Sequence, residues 1–383
     1  MHIYCIKNGI FKKTLRFFSI RKYRIPSCPC YNYSIGRTKA MKRMNYLLFA
    51  ALLFLCSCSS GQTASQAQTV PAVSPSASPA TSLLQEALVF SESDSLSGFT
   101  ASSGLVPHHI ISVNPGVTLE ADMLSLDKVN NEVLEIPDDA LYTGSEALIY
   151  ADNSIIRLNN SLISGTAPYA HTLCLDNEST CDMNHSILVT TDIGQAAVAA
   201  FAASSLGMTD CTLASTGDGA SCLMLLNSRA SAEKTEFTVR DSQASFSVSL
   251  TGSELTLSDS NVSGNIQYAG INSVTCTNSE ITAELFAEGS DAELSLSLTS
   301  GSKLTGCSYD DSTMSLHIVM DDSSSWTLTE DSFVAGFQDA DESLSNIISN
   351  GFSLYYNSEH EGNEWLSSRT LALPGGGYLI PLI

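Results

Sequence analysis

Between about residues 155 and 336, apolar and polar side chains alternate in short runs, broken at intervals by a small residue that usually follows Asn or Asp. Leu255-Thr256-Leu257-Ser258-Asp259-Ser260-Asn261-Val262-Ser263-Gly264 is the clearest copy. Alternation with a period of two predicts strands with one buried face, and the Asp-Ser pair predicts a tight turn between them. With the small residue as anchor, copies stand at Ser161, Ser186, Cys211, Ser242, Ser260, Ser279, Ser302 and Ser332, spaced 25, 25, 31, 18, 19, 23 and 30 residues apart. In the first six copies the positions five before, three before and two after the anchor are apolar. In the last two the upstream pair shifts by one, which predicts a turn one residue longer. One supersecondary unit repeated at this period predicts a solenoid, and the strand alternation makes it a β-solenoid. From Tyr169 to Leu373 there is no proline, as continuous backbone ladders require.

The expected fold is therefore all-β, a right-handed parallel β-helix, with its coils at residues 145–340. Residues 83–144 read as an N-terminal cap and first coils, and Ser82-Leu83-Leu84-Gln85 has capping-box spacing for one short helix. Residues 341–383 read as a C-terminal hairpin cap, because Asn350-Gly351 between two apolar runs is a strong hairpin signal. Leu371 to Tyr378 adds a strand, a breaker at Pro374-Gly375-Gly376-Gly377 and a last strand.

Upstream of this, residues 1–40 carry nine Lys or Arg and no acid, as an extension or atypical leader. Residues 41–57 have the parts of a secretory signal: Lys42 and Arg43, the apolar run Leu47 to Leu55, then small residues. Nine apolar residues fall short of the roughly 20 that span a bilayer as a helix. Leu55-Cys56-Ser57-Cys58 resembles the lipobox of bacterial lipoproteins, which implies a lipidated Cys58 and an extracytoplasmic, membrane-anchored protein. Residues 58–82, rich in Ser, Ala, Thr and Pro, then read as a flexible tether. Beyond Cys58 the chain has 40 acidic residues against 7 basic ones, which argues against a nucleic-acid partner.

Three stretches, Ser325-Trp326-Thr327-Leu328-Thr329-Glu330-Asp331-Ser332-Phe333-Val334, Ile348 to Tyr356, and Gly375-Gly376-Gly377, resemble a group of adhesin-like bacterial surface proteins. These have right-handed parallel β-helices related in fold to pectin lyases. Gly217-Asp218-Gly219-Ala220 is similar to a turn in that group; Glu330 departs from it, standing where glycine is usual. The resemblance implies a fold and a surface location, with no settled activity.

Enzymes on such folds use acidic groups, calcium and a base against acidic polysaccharides. The strongest candidate here is one strand in which Lys234, Glu236, Thr238 and Arg240 would share the outer face while Phe237 and Val239 point inward. Exposed ion pairs are the plainer expectation for such a row. Asp310-Asp311 and Asp321-Asp322 are candidates for calcium, though neither has the spacing of an enclosing loop. His108-His109 lacks partners at zinc spacing. Trp326 alternates with Leu328 and belongs in the core. Tyr355 and Tyr356 must face opposite ways, leaving one as a candidate sugar platform. Six cysteines follow Cys58, with Cys174 and Cys181 the candidate disulfide and buried thiols the alternative. These features favour a non-enzymatic structural or adhesive role toward a polysaccharide or surface protein, with no cofactor required. The alternative is a polysaccharide lyase or glycoside hydrolase acting around Lys234 and Arg240.

Overall fold

The computed structural model describes residues 82–83, 87–103, 109–129, 144, 146–168, 170–192, 194–240, 246–309 and 315–382. The signal, Cys58, the tether up to residue 81, His108, Ser242 and Asp310-Asp311 lie outside the described residues.

The described chain is a parallel β-solenoid. A coil near its N-terminal end has three strands: Ile149–Asp152 on a first face, Ile155–Asn159 on a second, and Leu162–Gly165 on a third. Each pairs in parallel with its counterpart one coil later: Leu173–Asp176, Thr180–Asn184 and Ile187–Thr190. The second face is an eleven-stranded sheet running from Asp94–Ser97 to Gly336–Asp339, so the stack rises about 50 Å at about 4.8 Å per strand. Three strands of this sheet stand outside the eight repeats readable from the chain: Asp94–Ser97 and Thr118–Asp122 before them, and Gly336–Asp339 after. The first and third faces run on into one another in Glu280–Ala287, which pairs with both Asn261–Ser263 and Asn265–Ala269.

The alternation does what it predicted. Leu119, Ile156, Cys181, Leu206, Ala230, Leu255, Val274, Leu296, Ile318 and Phe337 stack in register on the inner side of the second face, and all are buried. Burial of apolar area along such rows is the main drive for the fold.

The corners explain the anchors. Asn160, His185, Asp210, Lys234, Asp259 and Asn278 all have positive φ, between 47° and 51°, and each turns the chain from the second face to the third. Asn and Asp tolerate this left-handed conformation best. The anchor that follows is buried, and its hydroxyl donates to the carbonyl two residues back: Ser161 to Asn159 at 2.7 Å, Ser260 to Ser258 at 2.8 Å, Ser279 to Thr277 at 2.9 Å. The same oxygen accepts the anchor N–H of the preceding coil, as from Ser161 to Ser186, Thr235 to Ser260, Ser260 to Ser279 and Ser279 to Ser302. A hydroxyl row thus satisfies the backbone groups freed at each bend.

A second row, unread in the sequence, closes the other edge of this face. Ser154, Ser204, Ser228 and Ser253 donate their N–H groups to the side-chain oxygens of Ser179, Ser228, Ser253 and Asn272.

Several expectations need correction. The anchor between Cys211 and Ser260 is Thr235, not Ser242, since Leu213, Phe237 and Val262 are in register. The anomalous spacings of 31 and 18 then become 24 and 25. Ser332 belongs to a different corner, where it caps Ser308; in the anchor row Trp326 follows Leu304, which makes Ser324 the anchor. The longer turn before Ser302 is present as Ser300 and Gly301, both with positive φ. Ser82-Leu83 is a strand paired with Thr100–Ser103, not the start of a helix. Asn350-Gly351 is a coil corner, not a hairpin: Ile347–Ile348 pairs with the Trp326 strand, while Leu354–Asn357 lies between Ser332–Val334 and Tyr378–Leu382. The antiparallel hairpin is the final one, Leu371–Ala372 with Tyr378–Leu382. Its turn hugs the preceding coil so closely that a Cβ on Gly377 would stand 1.6 Å from the Phe352 carbonyl oxygen.

Candidate functional site

The proposed Lys234 row does not form a single outer face. Lys234 is the left-handed corner residue, Arg240 follows the strand Glu236–Val239 at its other end, and only Glu236 and Thr238 share its outward side, joined by a 2.9 Å hydrogen bond. Phe237 is buried as expected, and Val239 packs against the core. Lys234 pairs at 3.2 Å with Glu233, and its pKa is raised by that neighbour and by Asp210 one coil earlier. His185 to Asp210 at 3.7 Å continues the same corner row. These charges run along the stack as exposed pairs, which contribute little energy and converge on no centre.

The two tyrosines face opposite ways. Tyr356 is fully buried and its hydroxyl donates to the Arg369 carbonyl at 3.0 Å. Tyr355 points outward, but one ring face is covered by Phe333, stacked at 5.0 Å and 14°. Trp326 is fully buried in the core. Cys174 and Cys181 are free thiols on different sides of the wall, Cys181 in the bore and Cys174 in a separate apolar cluster with Ala199, Phe201 and Met224. The disulfide expected between them is therefore absent. The reason is parity, because an outward and an inward strand position cannot be bridged through the wall.

The outward side of the second face carries a more coherent surface. Arg157, Asp182, Gly207, Ser231 and Thr256 stand in one straight row, one per coil, and Thr275 and Ser297 extend it. A parallel row holds Asn159, Asn184, Thr209, Glu233 and Ser258. Gly207 has no side chain between Asp182 and Ser231, and a shallow groove opens there, lined by Arg157, Asp182, Asn184, Thr209, Ser231 and Glu233. Arg157 is held by an ion pair to Glu120 in the preceding coil, both about half exposed. The groove thus offers hydroxyls, one amide, one guanidinium and two carboxylates along a line of strand-spaced positions. Sequence reading overlooked it because its members lie about 25 residues apart and each looks like an ordinary polar strand position.

Among the described residues no group of three His, Cys, Asp or Glu side chains is arranged to hold a metal ion. No protein-family model, curated protein or solved structure matched the chain.

Proposed function

We propose that this protein is a lipid-anchored surface solenoid, tethered through Cys58, that binds an extended glycan along the outer side of its second face and has a structural or adhesive role. The reading rests on the groove at Gly207 and the hydroxyl row continuing from it. A polymer of hydroxylated rings can exchange hydrogen bonds with such rows over several coils. The excess of acid beyond Cys58 favours a neutral polymer over an acidic one, since like charge disfavours association. The adhesin-like resemblance of the C-terminal coils agrees with this role.

A panel of neutral and acidic polysaccharides incubated with the full chain tests it. Binding of a neutral polymer that is lost in Gly207→Trp, which fills the groove, supports the proposal; unchanged binding refutes that location. A second reading comes from Arg157, Asp182 and Glu233 lining the same groove, a guanidinium to hold the acid groups of a polysaccharide and two carboxylates for the acid–base work of a lyase or hydrolase. New reducing ends or unsaturated products, abolished by Arg157→Ala, would establish it.

A further inference from the structure

The second face ends at the strand Gly336–Asp339, whose outer edge would by itself leave backbone groups without partners. A short 3-10 turn, Glu361–Leu366, closes that edge with side chains in place of a further strand. Asn363, itself buried, accepts the Phe337 N–H through Oδ1 at 2.7 Å and donates through Nδ2 to the Ala335 and Asn357 carbonyls at 2.7 and 2.6 Å. Trp365 Nε1 donates to the Phe337 carbonyl at 2.9 Å, and its ring lies against that of Phe337 with centroids 6.1 Å apart. Closure of the edge therefore depends on this turn staying in place.

The turn starts at His360. As the N-cap residue it accepts the Gly362 N–H on Nδ1 at 3.0 Å, so the ring is neutral with its proton on Nε2. An imidazolium carries hydrogen on both nitrogens and accepts nothing, so uptake of a proton removes the cap. His317 adds to the effect. Its ring lies 4.9 Å from that of His360, tilted by 52°, and two charged rings at that distance repel. The pair fits because Gly336 stands in register with His317 in the next coil: a Cβ there would be 2.8 Å from His317 Nδ1 and 2.9 Å from His360 Cε1. The charges around the pair are carboxylates, Glu293 at 3.7 Å from His317 Nε2, and Glu359 and Glu361, exposed and next to His360 in the chain. All three favour proton uptake. Burial acts the other way at His317 and keeps that ring neutral until the pH falls further.

We propose that His360 is an acid-sensitive latch for the C-terminal cap: neutral, it holds the turn Glu361–Leu366 against the last strand of the second face, and protonated it releases the turn, with His317 driving the rings apart. A cap bond that only the neutral ring can make is fully present above the value of a free histidine, about 6.5, and is lost as the pH falls below it.

The test follows hydrogen exchange at single amides by NMR, on the full chain in detergent, corrected for the intrinsic exchange rate at each pH. Between about pH 7.5 and about pH 5.5, protection of the Gly362 and Phe337 amides should fall about two- to thirtyfold, the range expected for loss of one N-cap, while Thr235 in the middle of the stack keeps its protection. His360→Asn supplies a capping side chain that does not titrate and should stay protected at both values; His360→Ala should show the acid level at both. The proposal is overturned by unchanged protection in wild type, by the same fall in His360→Asn, or by a parallel fall at Thr235, which marks unfolding of the whole chain. Should His360→Asn fail to fold, acrylamide quenching of Trp365 in wild type decides, because the other tryptophan, Trp326, is buried in the core. Quenching that rises below about pH 6.5 supports the latch, and quenching that stays constant rejects it.

Discussion

Ser260→Ala removes one hydroxyl from the inner corner row and leaves the apolar core untouched. Ser260 Oγ accepts from the Thr235 N–H at 3.0 Å and donates to the Ser258 carbonyl at 2.8 Å, at a position only 4 % exposed. The alanine methyl offers neither interaction, so a buried N–H and a carbonyl in adjacent coils each lose a partner. An unsatisfied buried group costs about 1–3 kcal/mol, the low end being favoured here because the carbonyl can bend toward other donors. Ser260→Thr should cost much less, since Thr235 fills the equivalent place one coil earlier with its own hydroxyl on the Glu233 carbonyl at 3.0 Å. Because coils of a solenoid contact mainly their neighbours, unfolding need not be two-state, and hydrogen exchange at single amides is the sharper readout. The Thr235 amide should exchange roughly five- to a hundredfold faster in Ser260→Ala, following tenfold per 1.4 kcal/mol. Thr256→Ala, on the exposed side of the same coil, should stay within about 0.5 kcal/mol of wild type. Unchanged protection of Thr235 in Ser260→Ala, or an equal loss in Thr256→Ala, would refute the assignment of the hydroxyl row as the element that closes the corner.

Lys128 is fully buried, donating to the Glu146 carbonyl at 2.7 Å with the Glu146 carboxylate 3.7 Å away, and burial lowers its pKa. Lys128→Ala leaves a buried acid uncompensated and should cost about 3–5 kcal/mol in denaturant unfolding, whereas Lys303→Ala, in an exposed pair with Glu280, should cost about 1 kcal/mol or less. Burial also lowers the pKa of His317, against the opposing pull of Glu293. Below an unfolded value near 6.5 the unfolded chain takes up a proton before the folded one does. Stability from this group should therefore be present above pH 6.5 and fall as pH drops through the lowered folded value, and His317→Gln should flatten that part of a pH series of melting temperatures. The thiols of Cys222 and Cys276 are buried, with pKa values pushed up to about 12, so mass spectrometry should find both unalkylated by iodoacetamide in the native chain and alkylated after denaturation.

What could be read in advance divides along a physical line. Side-chain parity is a local property, so the inward rows, the buried Trp326 and the opposed tyrosines were legible from a few neighbouring residues. Corner chemistry was most legible where the left-handed residue was Asn or Asp; at His185 and Gly301 the flanking apolar positions kept the anchor in place. At Lys234 the same turn is made by a residue that seldom adopts it, and the anchor slid seven residues to Ser242, where Phe237 and Val239 imitate the upstream apolar pair. The second hydroxyl row sits seven residues before the first in coil after coil, at Ser154, Ser179, Ser204, Ser228 and Ser253. Serine beside a turn is ordinarily solvated, so nothing local marked these as buried. The groove at Gly207 and the gap at Gly336 beside His317 depend on coil length, which decides who stands above whom. One residue more or less in a turn would put a different side chain over Asp182 or beside His317. A polar site in a solenoid is thus written in the register between coils, while its fold is written within each coil. That is why the adjacent pair His108-His109 drew attention in the sequence, while the imidazoles of His317 and His360, 43 residues apart, are brought together by the fold.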